Sequence, residues 1–126
     1  MQQAKAGSYV AVLGASPNEE RYSFKAVRML KEHSFVPIPV HPAGHTVDEV
    51  VGVKSLGEID QPIDTLSMYV GSKISSGMFG EIEGLKPRRV VFNPGSENAD
   101  LAAKLSEIGI DVVEACTLVM LRTGQF

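Results

Sequence analysis

The sequence predicts a three-layer, doubly wound α/β domain of Rossmann type, with helices on both faces of a mainly parallel, five-stranded sheet. Three observations predict it. Short β-rich segments alternate with segments of helical spacing along the 126 residues, the order expected of a parallel sheet with crossover helices. The first and fourth β-rich segments are apolar, which is typical of strands covered on both faces. Gly14 ends the first apolar run, where a chain must turn sharply from strand into helix.

The five predicted strands share short length and enrichment in β-branched or aromatic residues. They are Tyr9–Leu13, Phe35–Val40, Asp64–Val70, Arg89–Asn93 and Ile110–Val113. Pro37 and Pro39 fall in the second strand and each removes a backbone donor from a strand ladder. We therefore expect that strand to be distorted or to lie near an edge of the sheet.

Segments of helical character follow the first, third and fourth strands, and a short one follows the fifth. They are Phe24–Glu32, Ser75–Leu85, Asn98–Ile108 and a helix starting at Thr117. In the first helix, Phe24, Val27 and Leu30 recur at three-residue steps and mark one face. Ser23 precedes this helix and stands at the position of an N-cap, where its hydroxyl can accept from an unpaired backbone N–H.

The remaining segments are less regular. Three glycines weaken the second predicted helix. Ser96 is the expected cap of the third helix, and Gly109 is expected to end it. Between residues 41 and 61 we expect a loop, with one helical turn at Thr46–Val50 and a short extended piece at Val53–Leu56.

Composition narrows the class of protein. Hydrophobic residues make up 44% and charged residues 21% of the chain, as in soluble globular domains. We expect one domain over residues 1–126, with residues 1–8 as a candidate disordered N-terminal segment. The net charge of −3 weighs against a nucleic-acid partner. No apolar run approaches the roughly 20 residues of a membrane span, and the N-terminus lacks the apolar core of a signal peptide. Cys116 is the one cysteine, which excludes an internal disulfide. Together these observations favour a cytoplasmic protein.

A ligand site is expected at the carboxyl ends of the strands, near the point where strand order reverses. Four segments should meet there, with the sequences GASPNEERYS, VHPAG, VGSKIS and NPGSEN. In the first, backbone N–H groups after Gly14 and at the helix start could hold a pyrophosphate, and Arg21 could add a bidentate contact. A tight turn without a ligand explains the same residues equally well, because only the first glycine of a dinucleotide fingerprint is present.

The end of the second strand weighs against NAD. A classical NAD site places a carboxylate there to hold the ribose 2′-hydroxyl, whereas this chain has Val40-His41-Pro42 and no carboxylate before Asp48. A ligand with a differently arranged phosphate near its adenosine end remains compatible with the sequence.

The chain resembles the small stand-alone CoA-binding domain proteins, which are relatives of the CoA-binding Rossmann domain of the succinyl-CoA synthetase alpha subunit. The resemblance covers nearly the whole chain and rests on five segments in order: VAVLGAS, NEERYS, VPIPVHP, VVFNPGSEN and AAKLSEIGIDVVEAC. The chain departs from the family at Ser34, where a glycine is usual, at His41, where asparagine is usual, and at Ala115, where a charged residue is common.

The resemblance implies a binding mode for CoA. The pyrophosphate would lie over Gly14, Ala15 and Ser16, with Arg21 and Ser23 nearby. The adenosine end would lie between the loops after the second and third strands, at Val40, His41, Pro42, Val70, Gly71, Ser72 and Lys73. Lys73 would contact the ribose 3′-phosphate, and the pantetheine arm would pass Asn93, Pro94 and Gly95.

The function expected from these residues is non-catalytic binding of CoA or an acyl-CoA, with no metal. No nucleophile–base pair stands out in the sequence. Cys116 is interpreted as a small buried apolar residue, and His33 and His45 as surface residues. His41 fits a ligand contact and a solvated loop residue equally well. Two alternatives stay open: a nucleotide-cofactor-dependent reductase or transferase using His41, Cys116 or Lys73, and an interaction module that acts with a separate catalytic chain. A homodimer or an unidentified protein partner is also open, as are the acyl group and the pathway.

Overall fold

The structure is a computed structural model that describes residues 2–126. It confirms the predicted α/β class, with five parallel strands in the order β2-β1-β3-β4-β5. The strands are β1 (Tyr9–Leu13), β2 (Val36–Val40), β3 (Ile63–Met68), β4 (Arg89–Phe92) and β5 (Asp111–Glu114). The helices are α1 (Tyr22–Glu32), α2 (Ser72–Ser75), α3 (Phe79–Leu85), α4 (Ala99–Glu107) and α5 (Thr117–Arg122), and a 3₁₀ turn covers Leu56–Glu58.

The sheet is covered on both faces, which explains its apolar central strands. Alternate residues of β1 point to opposite sides, so that Ala11 and Leu13 join one core cluster and Val10 and Val12 join the other. Helices α3 and α4 pack on the first side, while α1 and α5 pack on the second. This is the three-layer arrangement that the sequence predicts.

Strand β2 lies at one edge of the sheet, as its prolines predict. After the next loop, Val53 pairs in parallel with the free side of β2: Val53 N–H donates to the Pro39 carbonyl at 2.9 Å, and His41 N–H donates to the Val53 carbonyl at 3.0 Å. Gly52 permits this approach, because a Cβ there would lie 2.3 Å from the His45 carbonyl oxygen. The carboxyl end of the edge strand is thereby paired and fixed in place.

The predicted helical turn at Thr46–Val50 is wrong. Val47 and Val50 instead form an antiparallel bridge with two backbone hydrogen bonds of 2.9 Å. Asp48 and Glu49 form the turn between them, both with positive φ (46° and 68°). The Asp48 side chain connects this turn to α1, because it pairs with Arg28 at 3.0 Å and with Lys31 at 2.8 Å. Such a partner on another element is invisible in a local pattern.

The helix boundaries also differ from prediction. Helix α1 begins two residues before the predicted start, so that Ser23 lies inside it, and its N-cap residue, Arg21, makes no side-chain capping bond. The predicted helix over residues 75–85 is two helices, α2 and α3, separated around Gly77. Asn98, and not Ser96, caps α4, because its Oδ1 accepts from the Leu101 N–H at 3.1 Å.

Backbone bonds connect the N-terminal segment to the rest of the protein. Ala4 N–H donates to the Phe126 carbonyl at 3.0 Å, and Gly7 N–H donates to the Ser34 carbonyl at 2.8 Å. Residue 1 of the candidate disordered segment lies outside the described residues, and disorder over 1–8 stays a prediction. Within residues 2–126, no helix has the length and apolar character needed to cross a membrane.

Candidate functional site

The candidate site lies at the carboxyl ends of β1, β2 and β3. The chain runs from β1 to β2 on one side and reaches β3 on the other, which makes β1 the point where strand order reverses. Open α/β sheets bind ligands in the crevice at such a point. Two cavities open here, and they share Gly14, His41 and Tyr69.

The first cavity is polar and has a volume of about 380 Å³. Its wall comes from the turn after β1, the start of α1, the loop after β2 and the residue after β3. The lining residues are Gly14, Ser16, Arg21, Tyr22, Ser23, His41, His45 and Tyr69. We refer to it below as the polar cavity.

The second cavity, the apolar cavity, has a volume of about 620 Å³. Half of its fourteen lining residues are aliphatic residues, proline or methionine, and polar groups lie among them. The lining residues are Leu13, Gly14, Val40, His41, Pro42, Lys54, Ser55, Leu56, Tyr69, Val70, Gly71, Ile74, Met78 and Glu81. Five of the residues predicted for the adenosine end (Val40, His41, Pro42, Val70 and Gly71) are therefore brought together here.

Gly14 is required at the junction of the two cavities. Its φ is +87°, and a Cβ would lie 2.9 Å from Val70 Cγ1 and 3.1 Å from the Tyr69 carbonyl oxygen. Both the backbone conformation and the close approach of the segment after β3 exclude a side chain. Ala15, which follows, is fully buried, and neither cavity includes it among its lining residues.

The N–H groups of the turn already have partners in the protein. Gly14 and Ala15 donate to the Val40 carbonyl at 2.8 and 3.3 Å, and Ser16 donates to Ser23 Oγ at 3.0 Å. The unpaired donors at this edge are instead in the first turn of α1, because the first N–H groups of a helix lack intrahelical acceptors and no side chain caps this one. An anion in the polar cavity would thus meet the N-terminus of α1 and the exposed Arg21.

Lys73 and Ser72 lie on α2, are exposed, and are absent from the lining of both cavities. Lys54 lines the apolar cavity, and nothing in its local sequence distinguished it from the other surface lysines. It reaches the crevice because the pairing of Val53 with β2 carries it there. A contact of Lys73 with a ligand stays a prediction.

Asn93 holds the carboxyl end of β4 in place. Its side chain is 1% exposed; Nδ2 donates to Ser67 Oγ at 3.0 Å and to the Met68 carbonyl at 2.9 Å. Its Oδ1 accepts from the Thr117 N–H at 2.8 Å, which fixes the start of α5. Pro94 and Gly95 are exposed and, like Asn93, line neither cavity. Their predicted contact with a pantetheine arm stays a prediction.

Tyr69 lines both cavities, and its hydroxyl is buried without a hydrogen-bond partner among the described residues. Burial, together with the nearby Cys116, raises the pKa of Tyr69 to about 12. The phenol is therefore neutral at physiological pH. Sequence reasoning assigned no role to this residue, because the predicted third strand ran on to Val70, whereas β3 ends at Met68 and Tyr69 directly follows it, at the edge where site residues concentrate.

His45 also differs from expectation. It lines the polar cavity with His41, and the two imidazole rings lie with their centroids 4.5 Å apart. His33 is exposed at the end of α1, as expected. Among residues 2–126, no group of three or more metal-ligating side chains comes together.

Comparison with known proteins agrees with this fold. The uncharacterized protein YneT of Bacillus subtilis is 33% identical over 109 residues, which cover 82% of this chain and 77% of that protein. A crystal structure of an uncharacterized protein superposes with a TM-score of 0.90 at 38% identity, covering 97% of this chain and all of that one (100%). The Thermus thermophilus protein called cell-free ID.343 gives a TM-score of 0.85 at 26% identity, covering 95% and 91% of the two chains.

The pattern of one family runs through almost the whole sequence. Residues 8–122 match the CoA binding domain, from the segment before β1 to the end of α5. The match includes the turn after β1, the loop after β2 and the residues after β3 that together enclose the crevice. The chain belongs to the CoA-binding domain family.

Proposed function

We propose that this protein binds CoA or an acyl-CoA in the crevice and does not itself catalyse a reaction. One observation carries the proposal: a polar cavity and an apolar cavity meet at Gly14, His41 and Tyr69. A ligand that joins an anionic group to a flat, weakly polar ring would occupy both. CoA is such a ligand, since its pyrophosphate adjoins an adenosine.

The anionic part fits the polar cavity. Arg21 lines it from the N-cap position of α1, and a guanidinium can donate two parallel hydrogen bonds to phosphate oxygens. The uncapped first turn of α1 adds backbone N–H groups and the positive end of the helix dipole. We place the pyrophosphate here, next to Ser16 and Ser23.

The adenine fits the apolar cavity. Val40, Leu56 and Val70 can contact the faces of a flat ring, and Ile74 and Met78 extend this surface. Lys54 lines the same cavity and is the better placed of the two candidate lysines to contact the ribose 3′-phosphate. Ile74 is 62% exposed, so a ligand covering it would remove apolar surface from water.

The absence of catalysis is part of the proposal. The buried polar side chains next to the crevice bond to one another: Ser67 and Thr117 share a hydrogen bond of 2.8 Å, and Asn93 bonds to both residues. The neutral Tyr69 phenol is a poor base. Among the described residues that line the two cavities, none forms a hydrogen-bonded nucleophile–base pair of the kind covalent catalysis uses.

Calorimetry with CoA, dephospho-CoA and NAD tests the proposal. We expect CoA to bind most tightly, dephospho-CoA more weakly and NAD weakest, because the loop after β2 offers no carboxylate for a ribose. Native mass spectrometry of the protein as isolated should show a mass increase equal to CoA or an acyl-CoA. Tighter binding of NAD, or turnover of an acyl-CoA or NADPH, would contradict the proposal.

A further inference from the structure

We infer that His41 and His45 form an anion subsite of the crevice, in which one protonated imidazole contacts a phosphate group of the bound ligand. This inference rests on the proposed function, because it concerns the same crevice and ligand class. The two rings lie with centroids 4.5 Å apart and planes inclined at 38°. Both line the polar cavity, together with Arg21. Binding should therefore depend on the protonation of this pair.

The hydrogen bonds of His41 decide where a proton goes. Ala43 N–H donates to His41 Nδ1 at 3.0 Å, so that the neutral ring carries its hydrogen on Nε2 and offers a donor there. A proton added to Nδ1 would break that bond. The added proton is therefore expected on His45, which then presents a positive charge to the cavity while His41 presents a neutral N–H.

The pair needs an anion to hold its charge. Two protonated rings at this separation would repel each other, so we place one positive charge on the pair and not two. The described residues that line the polar cavity include no carboxylate, so no protein anion there balances an imidazolium. A phosphate of the ligand would supply this balance and favour the protonated form.

Other charged and titratable groups around the pair do not replace the phosphate. Arg21 and Tyr22 face it from the start of α1, and Tyr69 faces it from the end of β3. Lys54 and Glu81 lie in the apolar cavity, which His41 also borders. In the loop that carries the histidines, Asp48 is paired with Arg28 and Lys31 of α1, and Glu49 is exposed.

Dephospho-CoA is the clean probe for this subsite, because it has no phosphate monoester and its pyrophosphate keeps a constant charge at near-neutral pH. Isothermal titration at about pH 6 and about pH 7.5 spans the range in which histidine changes charge. We expect the wild type to bind about five-fold more tightly at the lower pH. The His41→Gln/His45→Gln double variant should change less than about two-fold.

The third histidine provides a matched control. His33 lies at the C-terminal end of α1, where its Nδ1 contacts the Met29 carbonyl at 2.9 Å, so His33→Gln should keep the wild-type pH dependence. A second readout needs no variant: titrations in buffers of different ionisation enthalpy should show proton uptake by the wild type on binding at about pH 7.5.

The outcomes separate the inference from the proposed function. Equal affinity of the wild type at both pH values, or an unchanged pH dependence in the double variant, would overturn the subsite and leave CoA binding intact. Failure of both CoA and dephospho-CoA to bind at either pH would overturn the proposed function and the subsite with it.

Discussion

The two halves of the carboxyl edge of the sheet are built differently. At β1, β2 and β3, two cavities open behind Gly14. At β4, Asn93 occupies the equivalent position after the strand and bonds to Ser67, Met68 and Thr117. Every strand of a parallel sheet ends at this edge, and the two cavities described for residues 2–126 lie in the half without such a side chain. The residue that follows a strand therefore decides between a binding crevice and a structural junction.

Replacement of Asn93 tests the closed half and should have the largest effect. Asn93→Ala removes three hydrogen bonds and leaves a buried N–H without an acceptor, so we expect a loss of about 3 kcal/mol in unfolding free energy. Urea denaturation measures it. The affinity of the folded variant for dephospho-CoA should change little; a large loss of affinity would support the predicted pantetheine contact and contradict a purely structural role.

Two glycines allow a matched test of the open half. Gly14 and Gly95 both have positive φ (+87° and +93°), but a Cβ would meet Val70 and Tyr69 at the first and nothing within 4 Å at the second. Gly14→Ala should cost about 2–3 kcal/mol and Gly95→Ala about 1–2 kcal/mol, since both add backbone strain and only one adds a steric contact. Equal losses in urea denaturation would show that the close approach of β3 contributes nothing.

Tyr69 lies where the two halves meet, and its titration reports on that boundary. Its pKa is raised to about 12 because burial disfavours the phenolate, so the protein should be unaffected below about pH 10 and should lose stability as pH rises toward 12. We expect an effect of about 2 kcal/mol. Of the three tyrosines, Tyr69 should ionise last in an ultraviolet pH titration, and Tyr69→Phe should remove that late phase. A late phase that persists in the variant would refute the assignment.

The smallest expected effect concerns the two lysines. Lys54 lines the apolar cavity and Lys73 does not. Lys54→Ala should therefore weaken CoA relative to dephospho-CoA by up to about 1 kcal/mol, the upper end of the range for an exposed charged pair. Lys73→Ala should leave that difference unchanged. The reverse result in calorimetry would favour the binding mode that the family resemblance implies.

The sheet and the position of the crevice could be predicted from sequence because they depend on local patterns. Apolar runs mark the strands, prolines place β2 at an edge, and Gly14 marks the turn. The content of the crevice could not be predicted in the same way. Lys54 and His45 reach it through the pairing of Val53 with β2 and the close approach at Gly52, which are contacts between segments. The predicted cap at Ser23 was wrong because α1 begins at Tyr22, which places Ser23 inside the helix, where its hydroxyl accepts from the Ser16 N–H.

The ion pairs of Asp48 have a consequence for the speed of binding. They attach the turn between Val47 and Val50 to α1, and the same loop carries His41 and His45, while α1 begins at the opposite wall. Two walls of the crevice are thus held together before a ligand arrives. A ligand entering a preorganised crevice does not have to order a loop, so association should proceed in one kinetic step. Salt that screens these ion pairs would free the loop, and association should then become slower.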